Sequence, residues 1–298
     1  IILLCVLGIS LLSVAQNRGF SNTKHYIEYR VDSVLANMTL EEKVGQMAQF
    51  TVDVIGAGGD LFTSDEPFSL NHAMLDTVLG KYKVGSILNT ANNRARTTEV
   101  WEQTIKTIQQ RAIKETGIPV VYGIDAIHGV TYTAGATFFP QEIGMAATFN
   151  RNLVTKGAEI TAYETRASNI PWNFSPTMDV GRDARWSRIW ESFGEDTYVN
   201  AEMGTAVVRG YQGENHNVVG ANNVAACLKH YIGYGVPVSG KDRTPAIIAE
   251  NDLREKFFEP FRAAIIDGNA LSVMVNSGMI NGVSTHADYR LLTQWLKE

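Results

Sequence analysis

The sequence predicts an α/β fold of the (β/α)8 TIM-type barrel class, truncated after about five β/α units. Three observations carry that expectation. Short apolar runs alternate with amphipathic helical stretches, which implies parallel strands joined by helical crossovers. The runs are apolar throughout instead of alternating, as strands covered by outer helices must be. No Gly-rich phosphate turn follows the first run, which argues against a doubly wound sheet.

Each element follows from local pattern. Arg30 to Phe50 reads as a helical pair: Val31, Val34 and Leu35 recur at helix spacing, and Thr39 with Glu42 makes a capping-box start. Val44, Met47 and Ala48 continue its apolar face. Thr51 to Asn71, rich in Gly, Asp and Ser, reads as a surface excursion. Strands are expected at Val84 to Leu88, Ile118 to Ile124, Trp172 to Val180, Val224 to Ile232 and Leu271 to Val275. Between them, helices are expected at Arg96 to Glu115, Leu153 to Ser168 and Asn200 to Gly213, and in a stretch beginning near Asn251 and Asp252. Ala287 to Leu296 opens one more. The first of these helices takes its apolar face from Val100, Ile105, Ile108, Ala112 and Ile113.

With 298 residues, 45% of them hydrophobic, the chain can bury a large core. A formal net charge of −5 without a basic run argues against nucleic acid as a partner. Ile1 to Ala15 is continuously apolar and ends in Ser13-Val14-Ala15, a small-residue cleavage pattern. It is shorter than the ~20 residues that span a bilayer. Residues 1–15 are therefore expected to be a signal peptide, incomplete at its front, and the protein to be secreted or periplasmic with no membrane span. Residues 16–298 are expected to be one barrel domain, incomplete at its C-terminus. Cys227, in an apolar run, reads as a buried hydrophobe. No zinc-type Cys/His spacing occurs, and neither metal nor cofactor is expected.

The densest chemistry lies in Trp172 to Asp196. Gly181 ends the strand, and Arg182, Asp183, Arg185 and Arg188 follow, interleaved with Trp186, Trp190, Phe193, Glu191, Glu195 and Asp196. Guanidinium forks hold hydroxyls or carboxylates in fixed directions, and flat rings pack a sugar face. The plainer reading of Arg185 and Arg188 is a carboxylate network that pins a long loop. In a barrel, function gathers at the C-terminal ends of strands. Asp125, Arg182, Lys229 and His230 stand at such ends, as do Asn276 and Ser277. A carboxylate among cationic donors suits a neutral polyol held by charge-assisted hydrogen bonds. Asp125 would repel an anion, and the cations would repel a metal ion. His128, beside Gly129 in a loop, reads as structural. Lys229 costs desolvation so close to an apolar strand unless something pairs with it.

Six motifs in order then resemble the N-terminal domain of glycoside hydrolase family 3, the β-glucosidase and exo-glucanase group. They are MTLEEKVGQM (Met38 to Met47), GIDAIHG (Gly123 to Gly129), FPQEIGMAATFN (Phe139 to Asn150), SPTMDVGRDARWSRIWESFGED (Ser175 to Asp196), KHYIGYG (Lys229 to Gly235) and SVMVNSGMINGVSTHA (Ser272 to Ala287). The resemblance implies retaining, exo-acting hydrolysis that releases terminal non-reducing β-D-glucosyl residues from oligosaccharides or glucosides. It implies that Asp125, Arg182, Lys229 and His230 bind the terminal sugar by its hydroxyls. In the family the nucleophile is an Asp in a G-F-x-G-x-x-x-S/T-D-W segment, and the acid/base comes from a following domain of the same chain. Both are expected beyond residue 298, so no catalytic residue is expected within the chain and this piece is expected to be inactive alone. None of Asp179, Asp183, Glu191, Glu195 or Asp196 matches either position.

Two departures from the family pattern bear on substrate. Ser277 stands where many members carry an aromatic beside the nucleophile, which predicts a more open wall. The loop after His230, GYGVPVSGKDRTP, lacks the Asp-Ser-His that the N-acetylglucosaminidase branch uses, which favours the glucosidase-like branch. Lys241-Asp242-Arg243 reads as an anchor for that loop. The alternatives are a β-xylosidase or β-glucan exohydrolase of the same family and, from another class, a non-catalytic sugar-binding protein. A metal- or phosphate-dependent barrel enzyme fits less well.

Overall fold

The structure, a computed structural model, describes residues 25–58, 60–213 and 219–298. The expected signal segment lies outside the described residues. Six strands pair in parallel and in chain order: β1 (Gln49–Thr51), β2 (Ser86–Leu88), β3 (Val121–Ile124), β4 (Trp172–Asn173), β5 (Ala225–Tyr231) and β6 (Ser272–Val275). Every strand neighbours its successor, so the order never reverses as it does in a doubly wound sheet. The result is an open half-barrel of the expected (β/α)8 type, and no helix among the described residues is long and apolar enough to cross a membrane.

Helices fill the connections. They are α1 (residues 25–37), α2 (Leu40–Gln46), α3 (His72–Leu75), α4 (Thr98–Thr116), α5 (Glu142–Ala146), α6 (Arg151–Ala167) and α7 (Thr197–Gln212). A last long helix runs from α8 (Glu250–Asp252) through a widened π segment, Leu253–Phe258, into α9 (Glu259–Ile266). Their starts follow from capping chemistry. The Thr39 hydroxyl accepts from the Glu42 amide while the Glu42 carboxylate accepts from the Thr39 amide, closing the expected capping box. Thr97, Asn150 and Asp196 cap α4, α6 and α7 more simply, each side chain accepting one first-turn amide, those of Val100, Leu153 and Val199. Gly117, at φ 72°, ends α4 where an L side chain would be strained.

Where the structure departs from the sequence pattern, the cause is local. The expected helical pair stops at Gln46, and the chain enters β1, a sixth strand of three residues that is too short for a pattern to reveal. Leu40, Val44 and Met47 are exposed among the described residues; α2 instead presses Gly45 against the Tyr82 and Lys83 carbonyls. Thr51 to Asn71 is no mere excursion, because Val52, Asp53 and Ile55 are buried. The Asp53 carboxylate accepts from the Ser64 hydroxyl at 2.7 Å and the Asn92 amide at 3.2 Å, which ties the loop to the end of β2. In α4 the buried stripe runs through Trp101, Ile105, Ile108 and Ala112, with Ile113 exposed. A short antiparallel hairpin, β7 (Met279–Ile280) with β8 (Val283–Ser284), follows β6 and was not expected.

The strand expected over Trp172 to Val180 pairs regularly only at Trp172 and Asn173. Pro176 has no N–H to donate, and the Thr177 amide is taken by the buried Glu142 carboxyl at 3.2 Å. The extended run still reaches β5, since the Lys229 amide donates to the Pro176 carbonyl and the Met178 amide to the Lys229 carbonyl.

Two apolar clusters hold this frame. One joins Ile55, Ile87, Tyr122 and Ile124 to Ile105 and Ile108 of α4. The other joins Met178, Leu228 and Tyr231 to α6, α7 and α9 through Ala158, Val207, Tyr211, Phe261 and Ala264. Cys227 is buried, as expected.

Candidate active site

The C-terminal strand ends bring polar groups together. Asp125, directly after β3, receives Lys229 Nζ on Oδ1 at 2.8 Å and Asn89 Nδ2 on Oδ2 at 3.0 Å. Asn89, directly after β2, also accepts from the Asp125 amide at 3.0 Å, so one side chain fixes both backbone and carboxylate. Burial alone would raise the Asp125 carboxyl. The Lys229 ammonium and the hydrogen bonds from Lys229 and Asn89 outweigh it and hold Asp125 below the usual carboxylate range. Lys229 is only 2% exposed, yet Asp125 is its one partner among the described residues. Two of its three donors are thus left for something else.

His230 is turned onto a second carboxylate. Its Nδ1 lies 2.7 Å from Asp179 Oδ2, which also accepts the His230 amide at 3.2 Å. A β-bulge between Leu228 and Tyr231, where β5 shifts register against β6, breaks the alternation that would send consecutive side chains to opposite faces. Burial depresses the His230 imidazole below its ordinary value, and Lys229 and Arg188 add to the fall against the pull of Asp179. A His depressed in the fold charges more readily unfolded, so its stability cost is absent above about pH 6.5 and grows as pH falls towards the folded value. An imidazole NMR titration should place the His230 midpoint below about 6.5, and lower again in Asp179→Asn. A midpoint above 6.5 would contradict this environment.

Arg182 and Arg188 sit in different surroundings. Arg182 is exposed, and its side chain has no partner among the described residues. Arg188 is half-buried, grips Glu191 through Nε at 2.8 Å and Nη2 at 2.5 Å, and stands 5.6 Å over the Tyr234 ring. Its charge is felt by both Asp125 and His230, so it belongs to the cluster. Sequence reasoning weighed it as a loop anchor. The fork does close on a carboxylate of its own loop, Glu191, three residues on, and no local signal announces its nearness to Asp125 and His230. Arg185, by contrast, is exposed and bonded to Asp183.

Other candidates resolve as structural. His128 Nδ1 lies 3.1 Å from the Phe139 carbonyl, and its ring meets Phe138 edge-on. Asn276 is buried, donating to the Ile232 carbonyl and accepting from the Gly278 amide. Of the aromatics expected to face a sugar, Trp186 and Phe193 are buried and Trp190 is 46% exposed.

This barrel half is shared with known proteins. The N-terminal domain profile of glycosyl hydrolase family 3 matches residues 39–298, and the chain belongs to that family. It is 40% identical over 279 residues to the lysosomal beta glucosidase of Dictyostelium discoideum, covering 90% of this chain and 33% of that protein. A putative beta-xylosidase of Formosa agariphila is 32% identical, with 95% and 36% covered. The crystal structure of an exo-1,3/1,4-beta-glucanase from a Pseudoalteromonas species superposes with a TM-score of 0.78 at 33% identity, covering 92% of this chain and 33% of that one. The chain thus spans about a third of the length of these relatives.

Proposed function

We propose that the chain supplies the sugar-binding half of an exported, retaining β-glucosidase that releases terminal non-reducing β-D-glucosyl residues. Its substrates are β-linked oligosaccharides or glucosides. The observation that carries this reading is the Asp125–Lys229 pair: a half-buried carboxylate and a buried ammonium, both with hydrogen-bonding capacity to spare. Vicinal sugar hydroxyls donate to the first and accept from the second. Lys229 offers donors and His230, its Nδ1 turned onto Asp179, offers Nε2 as an acceptor, while Arg182 and Arg188 lie on the loop after β4. The attacking Asp and the acid/base carboxylate come from chain beyond residue 298, ~5 Å apart as retention requires. Asp179, Asp183 and Glu191 are already engaged with His230, Arg185 and Arg188, and Asp196 caps α7. The apolar run at residues 1–15 supports export.

The relatives divide between beta-glucosidase and beta-xylosidase, which keeps the pentoside reading as the alternative. Rates of the full-length protein on 4-nitrophenyl β-D-glucoside and β-D-xyloside decide between them. The reading predicts kcat/KM at least ~10-fold higher on the glucoside, the size of one group's worth of pocket contacts. A preference for xyloside would replace it with the β-xylosidase. Glucose binding without hydrolysis would favour a non-catalytic sugar-binding protein.

A further inference from the structure

The loop after β5 carries a carboxylate that the binding cluster does not use directly. Asp242 Oδ1 accepts two hydrogen bonds at once: from Tyr234 Oη at 2.6 Å and from Trp186 Nε1 at 3.1 Å. Trp186 belongs to the loop after β4 and Tyr234 to the loop after β5, so this single oxygen joins the loop that carries Arg188 to the one that follows the strand carrying His230. Tyr234 stands between those two side chains. Its ring centroid is 4.7 Å from that of His230, and the Arg188 guanidinium carbon lies 5.6 Å from it. Trp186 closes the arrangement, edge-on to Tyr234 at 5.4 Å. Gly235 lets the second loop approach: a Cβ there would sit 2.8 Å from the Val180 carbonyl and 3.3 Å from the Trp186 ring.

We propose that Asp242 is a positioning residue for the sugar-binding cluster, fixing Tyr234 so that its ring sets the tilt of His230 and the place of Arg188. It rests on the sugar-binding reading above. Both bonds end on the same oxygen, so what they need there is an acceptor rather than a charge. Asparagine can supply that acceptor; alanine cannot. The hydroxyl of Tyr234 is needed for the tie and its ring for the contacts. Asp242 lies on an exposed loop outside both core clusters, so its loss should disturb the geometry without unfolding the barrel.

Isothermal titration of the full-length protein with isofagomine, alongside thermal melts, provides the test. Asp242→Ala should weaken binding by about 10-fold, as expected for two partners left without an acceptor, with Tm within a few degrees of the parent. Asp242→Asn should stay within about threefold of the parent, and Tyr234→Phe should lose roughly threefold to tenfold. Parent-like affinity in Asp242→Ala would overturn the inference, as would an Asn variant as weak as the Ala one. Should Asp242→Ala fail to fold, Tyr234→Phe decides alone, and parent-like binding there overturns the proposal. A parent protein that does not bind isofagomine would sink the sugar-binding reading itself, and this inference with it.

Discussion

Asp125→Ala in the full-length protein should lower kcat/KM on an aryl β-glucoside by ~10²-fold or more, whereas Glu255→Ala should change it less than about twofold. The reason is double. The substitution removes the acceptor for sugar hydroxyls, and it strands Lys229, 2% exposed, without its only partner among the described residues. A hydrogen bond to a charged group is worth roughly 1.5–3 kcal/mol, and each 1.36 kcal/mol in transition-state binding is tenfold in rate. Glu255 is exposed and far simpler in its surroundings. Asp53 cannot serve as the control despite lying outside the cluster, because it is buried and holds Ser64 and Asn92. Indistinguishable kinetics for the Asp125 and Glu255 variants, measured on the same substrate, would remove Asp125 from the site.

Glu142→Ala should cost about 2–4 kcal/mol of stability, read from denaturant melts of the full-length protein. Glu142 is fully buried and accepts from the Thr177 amide and the Ser175 hydroxyl, and Ser175 in turn receives the Tyr211 hydroxyl. Without the carboxyl, those donors stay buried and unpaired. Burial raises the Glu142 carboxyl well above the usual range, with the Thr177 amide pulling the other way. A carboxyl raised in the fold stabilises it while protonated, at low pH, and that contribution is lost as pH climbs from the ordinary value through the raised one. Glu142→Gln should therefore flatten this part of the pH–stability profile while keeping most of the stability. An Ala variant as stable as the parent would show that the 175–177 run needs no such support.

The barrel was legible because the buried strands and their helices carry long, periodic signals: β3, β5, β6, α4 and α7 fall where the apolar runs place them. What escaped was short or non-local. β1 has three residues, and its neighbour α2 carries an apolar face that stays exposed among the described residues, so pattern alone extended the helix through the strand. β4 lost its regular length to Pro176 and to Glu142, a residue 35 positions from Thr177 whose role no local rule announces. The meeting of Asp125, Lys229 and His230 was readable because polar groups at the ends of apolar strands demand partners. Those partners, Asn89 and Asp179, were not singled out, since pairing across strands depends on register. Arg182 and Arg188 look alike in sequence; only the fold of their loop distinguishes an exposed guanidinium from one packed against Tyr234.

We propose that the full-length protein binds the terminal sugar of a β-glucoside at this half-barrel and hydrolyses it with retention. Proton NMR of the full-length protein acting on 4-nitrophenyl β-D-glucoside, watched from the first turnovers, tests it most directly. Retaining hydrolysis gives β-glucose as the first-formed product, with the α anomer growing in only by mutarotation. α-Glucose appearing first, or no glucose at all from a folded full-length protein, would contradict it.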